Sequence, residues 1–127
     1  MTDNAEHDPR YLAGIEHFNI CEFFEAHDAW EELWMEYHGP DRDFFKGLIQ
    51  SAVCLHHFGN GNIRGAKKLY HGCVSYLEKF KPVHRSLDLE KFISEMGVCC
   101  EEILASTEQF PKIDIQVDLI PEIHLSN

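Results

Sequence analysis

The sequence predicts an all-α protein: one helical domain over residues 1–127, a bundle of about five helices, with an extended C-terminal tail over about 111–127. Three observations predict it. Apolar residues recur at three- and four-residue steps through most of the chain, the spacing of one helix face. Helix-stopping residues fall between the periodic stretches, at Gly39 and Pro40, at "GNGN" over 59–62, and at Pro82. The chain has 127 residues, 44% of them hydrophobic, which suits one domain burying about two-thirds of its unfolded surface.

The first helix is expected from Pro9 to about His17, with Asp8 as N-cap and proline at the first helical position. Asn19 offers a cap for a second helix over about 20–37, which ends where Gly39 suits a left-handed stop and Pro40 cannot continue. The third runs from Asp41 or Arg42 to about Phe58; "FFKGLIQSAVCLHHF" is apolar on most faces, as a central helix must be. Gly61 or Asn62 starts a fourth, through about Phe80, with Ile63, Ala66, Leu69, Tyr70, Cys73, Leu77 and Phe80 at helical steps. Asp88 is expected to cap a fifth helix running through "LEKFISEMGVCCEEILAST". In the tail, Ile113, Ile115, Val117 and Leu119 alternate with polar residues. That is a strand period, and with no other strand expected it implies an extended segment lying on the bundle or pairing with a second copy in a homodimer.

Composition excludes several function classes. The net charge of −11 argues against nucleic acid, whose binding rests on neutralising phosphates with Lys and Arg, and against anionic membrane surfaces. No apolar run approaches the roughly 20 residues that span a bilayer. The start, "MTDNAEHDPR", lacks the basic and apolar regions of a secretion signal. Five cysteines, with no CxxC pair, fit buried reduced thiols and a cytoplasmic protein better than a disulfide framework or a zinc ribbon.

The candidate chemistry lies in "FFEAHDAWEELW", residues 23–34. On a helix His27, Glu31 and Trp34 fall at i, i+4 and i+7, one stripe two turns long. Gln50, Cys54 and His57 repeat that spacing on the next long helix. A short connection makes those helices antiparallel neighbours, so the two stripes can converge in the bundle interior. Imidazole and carboxylate on facing helices suit a divalent metal such as Zn, Mn, Fe or Ni. His27, Glu31 and His57 are the candidate ligands, with Gln50 or Glu25 as orienting or water-positioning groups and Trp34 and Asn62 beside them. "HDAWE" only partly resembles the H-E-x-x-H zinc helix: Glu31 stands at the second histidine and Asp28 at the acid. The other reading is structural, a His–Glu helix pair within a buried hydrogen-bonded network. Aromatics such as Trp30, Phe44 and Phe58 read as core, and His7, His56, His71, His84 and His124 as exposed histidines without partners. No serine sits in a glycine elbow, and "GNGNIRGA" follows a helix rather than a strand, so neither hydrolase nor nucleotide fingerprints are present.

Two blocks, "FNICEFFEAHDAWEELW" and "KGLIQSAVCLHHFGNGNIRGAKKLY", resemble the signature of the family called domain of unknown function 309, over about residues 15–80. The family's H-x-x-x-E-x-x-(W/Y) motif, suspected of binding metal, falls here on His27, Glu31 and Trp34. Asp28 stands where that pattern more often has Glu, and Gly59 and Asn60 also depart from it. The resemblance implies a small all-helical domain and leaves the activity open. Two functions remain: a metal-binding protein, extending to a hydrolase-type enzyme, and a non-enzymatic interaction module whose polar stripe is structural.

Overall fold

A computed structural model describes residues 8–126; the expectations for the first seven residues, His7 included, lie outside the described residues. Six α-helices follow in order: α1 (Pro9–Asn19), α2 (Phe23–Glu36), α3 (Arg42–Gly59), α4 (Ile63–Leu77), α5 (Leu89–Cys99) and α6 (Glu101–Ala105). The expected all-α bundle is what the chain forms. Asp8 caps α1 by accepting the Arg10 backbone N–H at 2.8 Å, with Pro9 in the first turn. Asn62 caps α4 by accepting the Gly65 N–H at 3.0 Å. A 3-10 turn over Glu78–Phe80 extends the fourth helical run to Phe80, and Lys81 leaves it in extended backbone.

Helix α3 is the central rod. Phe44, Phe45, Leu48, Ala52, Cys54 and Leu55 are fully buried along it. Helices α2 and α4 flank it, and α1 packs against α2, with Tyr11 reaching Phe44 and Phe45 of α3. Close approach is built in at two glycines. A Cβ on Gly14 would lie 2.1 Å from the indole nitrogen of Trp30, and one on Gly47 would lie 2.5 Å from Leu77. Trp30 uses the first space to donate its indole N–H to the Tyr11 carbonyl at 3.1 Å.

Three expectations about helices and strands are corrected. Asn19 does not cap α2: it is the last residue of α1, the chain turns at Cys21 with φ +63°, and α2 starts at Phe23 with no side-chain cap. The Asn19 amide instead accepts the Ile123 N–H and donates to the Ile123 carbonyl, both at 2.8 Å, clasping the tail. Strands do occur: β1 (Val83–His84) pairs antiparallel with β2 (Leu87–Asp88). Arg85 and Ser86, at φ +47° and +64°, make the two-residue turn whose backbone twist suits a hairpin. The long fifth helix is divided at Cys100, which leaves the helical region at φ −96°, ψ 3°. Adjacent residues on a straight helix diverge by about 100°, and Cys99 and Cys100 are both buried here, so a bend serves them.

The hairpin is tied to the start of α3. Arg85, its side chain 5% exposed, donates from Nε to an Asp41 carboxylate oxygen at 2.5 Å, and its Nη2 donates to the Tyr37 hydroxyl at 3.3 Å. His84 Nε2 lies 2.9 Å from the same Asp41 oxygen, and its ring rests against Phe44 and Phe80. His84 is therefore not the solitary exposed histidine that spacing suggested. The tail runs extended over the bundle, apart from a 3-10 turn at Val117–Leu119. Ile113, Ile115 and Ile123 turn inward while Asp114, Gln116 and Glu122 face solvent.

Candidate functional site

On α2 the core takes Phe23, Ala26, Trp30 and Leu33, which leaves His27, Glu31 and Trp34 on the edge that borders α3. On α3 the core takes most of the circumference. Arg42, Lys46, Gln50, Val53 and His57, all half-buried, fall at helical steps along the remaining outward strip. Helix α2 borders this strip on one side, where Arg42 and Lys46 lie over Trp34, and α4 on the other, where Gln50 meets Gly72. The polar stripes thus line a half-open seam over α3 rather than converge in the bundle interior. The reason is chemical: the interior is filled by apolar side chains, and a carboxylate placed among them would lose its hydration without a compensating partner.

His27 and Glu31 are brought together. His27 Nε2 lies 3.3 Å from Glu31 Oε2, with side chains 21% and 43% exposed. The other ring nitrogen, Nδ1, is buried with no hydrogen-bond partner, its nearest carboxylate oxygen being Asp28 Oδ1 at 3.5 Å. Trp34 carries two cations on its indole: the Arg42 guanidinium carbon is 4.0 Å from the ring centroid and the Lys46 nitrogen 4.6 Å. Arg42 also donates from Nη1 to the Tyr37 carbonyl at 3.0 Å.

The other candidates are spread out. Gln50 turns away from α2: a Cβ on Gly72 of α4 would sit 1.8 Å from Gln50 Oε1, so the amide occupies the space that glycine leaves. That oxygen is buried without a hydrogen-bond donor among the described residues. His57 lies at the far end of the seam with its Nδ1 3.4 Å from Asn62 Nδ2. Burial, and then the neighbouring His56, push the His57 pKa below its ordinary value. Glu25 is exposed and lines a different groove of about 450 Å³ with Phe24, His56, Ile115, Val117 and Ile120. Among the described residues, no group of three or more His, Cys, Asp or Glu side chains is arranged to hold a metal ion, so His57 does not complete a three-ligand set with His27 and Glu31. Sequence reasoning passed over Arg42 and Lys46. Their signal was a basic i, i+4 pair opening a helix in a strongly acidic chain.

Fold and seam together define a small all-α bundle protein with a polar face on its central helix. The model of the domain of unknown function DUF309 matches residues 11–69, from α1 to the middle of α4. An uncharacterised protein of Aquifex aeolicus (strain VF5) is similar, 25% identical over 92 residues, which are 72% of this chain and 26% of that protein. The chain thus spans about a quarter of that relative's length. No helix among the described residues is long and apolar enough to cross a membrane.

Proposed function

We propose that the seam is a binding site in which His27 and Glu31 together hold a divalent cation, Zn, Mn, Fe or Ni. The observation that carries this is their pairing on the exposed edge, at 3.3 Å between nitrogen and oxygen. Two donors so spaced and about 2.1 Å from one ion subtend about 104° there, close to a tetrahedral angle. The unpartnered Nδ1 supports the reading, because a ligating imidazole commonly gives its second N–H to a carboxylate, and Asp28 stands within a small adjustment of accepting it. Two protein ligands leave the remaining positions to water or an incoming ligand, the condition for Lewis-acid chemistry and hence for a hydrolase-type activity. The metal content of untagged protein, purified without chelator, tests it. We expect a thermal shift with at least one of the four metals that His27→Ala and Glu31→Ala each abolish; metal-free protein whose melting is unmoved by all four overturns it.

A second reading is favoured by the Gln50–Gly72 contact, which spends one member of the polar set on helix packing. Under it the seam is a structural network of an interaction module. His27→Ala then costs about 1 kcal/mol of stability with no change in metal response.

A further inference from the structure

Arg42 and Lys46 are an unusual pair for this chain. Acidic residues outnumber basic ones by 22 to 11, yet no carboxylate lies within 4 Å of either cation among the described residues. Arg10, Lys79, Lys81, Arg85 and Lys91 all have such a partner. Arg64, Lys68 and Lys112 lack one but stand exposed in solvent, and the half-buried Lys67 donates to the Ser106 carbonyl. Like charges at i and i+4 repel, so helix stability does not explain the placement. Both are half-buried and both lie over the Trp34 indole, which orients them without neutralising them. Arg42 also opens α3, whose first turn has no side-chain cap because Asp41 is drawn away to Arg85 and His84. The positive end of the 18-residue helix lies at Arg42, and the first-turn carboxylate that would offset it, Asp43, is paired with Lys79.

We propose that Trp34, Arg42 and Lys46 form an oxyanion subsite, taking a phosphate or carboxylate group of a small molecule lying along the seam. This deepens the reading of the seam as a binding site. Arg42 engages Nη1 with the Tyr37 carbonyl and, at 3.3 Å, with His38 Nδ1, and keeps the N–H donors of Nε and Nη2; the Lys46 ammonium has no hydrogen-bond acceptor among the described residues. Glu31 and His27 lie three and seven residues before Trp34 on α2, about 4.5 and 10 Å along the axis. The molecule that fits is a short polyanion or a phosphorylated metabolite, with one acidic group on the cation pair and a metal-binding group toward His27 and Glu31.

The test is titration of metal-free, untagged protein at low ionic strength with inorganic pyrophosphate and, separately, citrate. Trp34 fluorescence reports the subsite, since the other tryptophan, Trp30, is fully buried. A saturable change is expected, with affinity at least tenfold weaker in the Arg42→Gln/Lys46→Gln double variant and restored by Lys46→Arg relative to Lys46→Gln. A pyrophosphate preference identifies a phosphoryl ligand and a citrate preference a carboxylate one. No saturable change with either anion, or equal affinity in Lys46→Gln and wild type, overturns the subsite. Failure of the metal titration alongside saturable anion binding overturns the cation reading and leaves this subsite standing; the opposite pattern does the reverse.

Discussion

Gly14, Gln50 and His57 show how much of this structure is decided by single atoms. A Gly14→Ala methyl meets the rigid Trp30 indole, and the indole cannot retreat because its N–H is bonded to Tyr11. Overpacking of this kind costs about 1–3 kcal/mol, which a urea midpoint will register as a loss with an unchanged slope. Gly72→Ala differs, since the atom it meets is the end of a flexible glutamine; the Gly72→Ala/Gln50→Ala pair should recover part of the loss. His57 gives a pH signature. Its folded pKa lies below the unfolded value of 6.5, so at acid pH the unfolded chain binds the proton more readily. The stability lost to this group grows as pH falls through 6.5 and levels off once pH is below the folded pKa. His57→Gln should flatten the stability profile between about pH 7 and pH 5, measured by chemical denaturation at several pH values. Asp8, held below its ordinary value mainly by the Arg10 side chain, acts lower: its stabilisation is present above pH 3.8 and fades as pH falls through the depressed pKa.

Among the elements, the helices were legible and their joints were not. Periodicity located four long helices within a few residues, because burial of an apolar stripe is a property of the helix itself. Asn19 was misassigned because a polar residue between two helices reads as a cap, while its true partner, Ile123, lies 104 residues away. The hairpin left no strand period to find: each strand has two residues, and its turn uses Arg and Ser at positive φ where Gly and Asn are the usual signal. What holds that backbone is long-range, the Arg85–Asp41 pair and the Tyr11 hydroxyl donating to the Arg85 carbonyl at 3.1 Å. Breaking a buried charge pair from one side costs about 3–5 kcal/mol, so Arg85→Ala should destabilise the whole bundle in thermal melts and not only loosen the hairpin. Asn19→Ala removes two hydrogen bonds worth about 1–3 kcal/mol together and should speed amide exchange in the tail around Ile123 before it affects α1. The site was half legible for the same reason. The i, i+4 rule brought His27 to Glu31, but which side of α3 faces α2 is set by packing, and that sent Gln50 to α4.

For the whole molecule, charge and core pull in different directions. A net charge of −11 makes the compact state repel itself, so stability should rise as ionic strength goes from about 0.01 M to about 0.15 M and the Debye length shrinks from about 30 to about 8 Å. The core that resists this repulsion also hides sulfur. Cys54, Cys73, Cys99 and Cys100 are buried, with the Cys54 and Cys100 sulfurs 3.9 Å apart, while Cys21 stands exposed in the turn before α2. Burial pushes the Cys73 thiol well above its ordinary pKa, and an un-ionised thiol is a poor nucleophile. The chain therefore carries its own opening gauge. An alkylating reagent should consume a single equivalent promptly, and every later equivalent would clock a moment when the packed helices came apart.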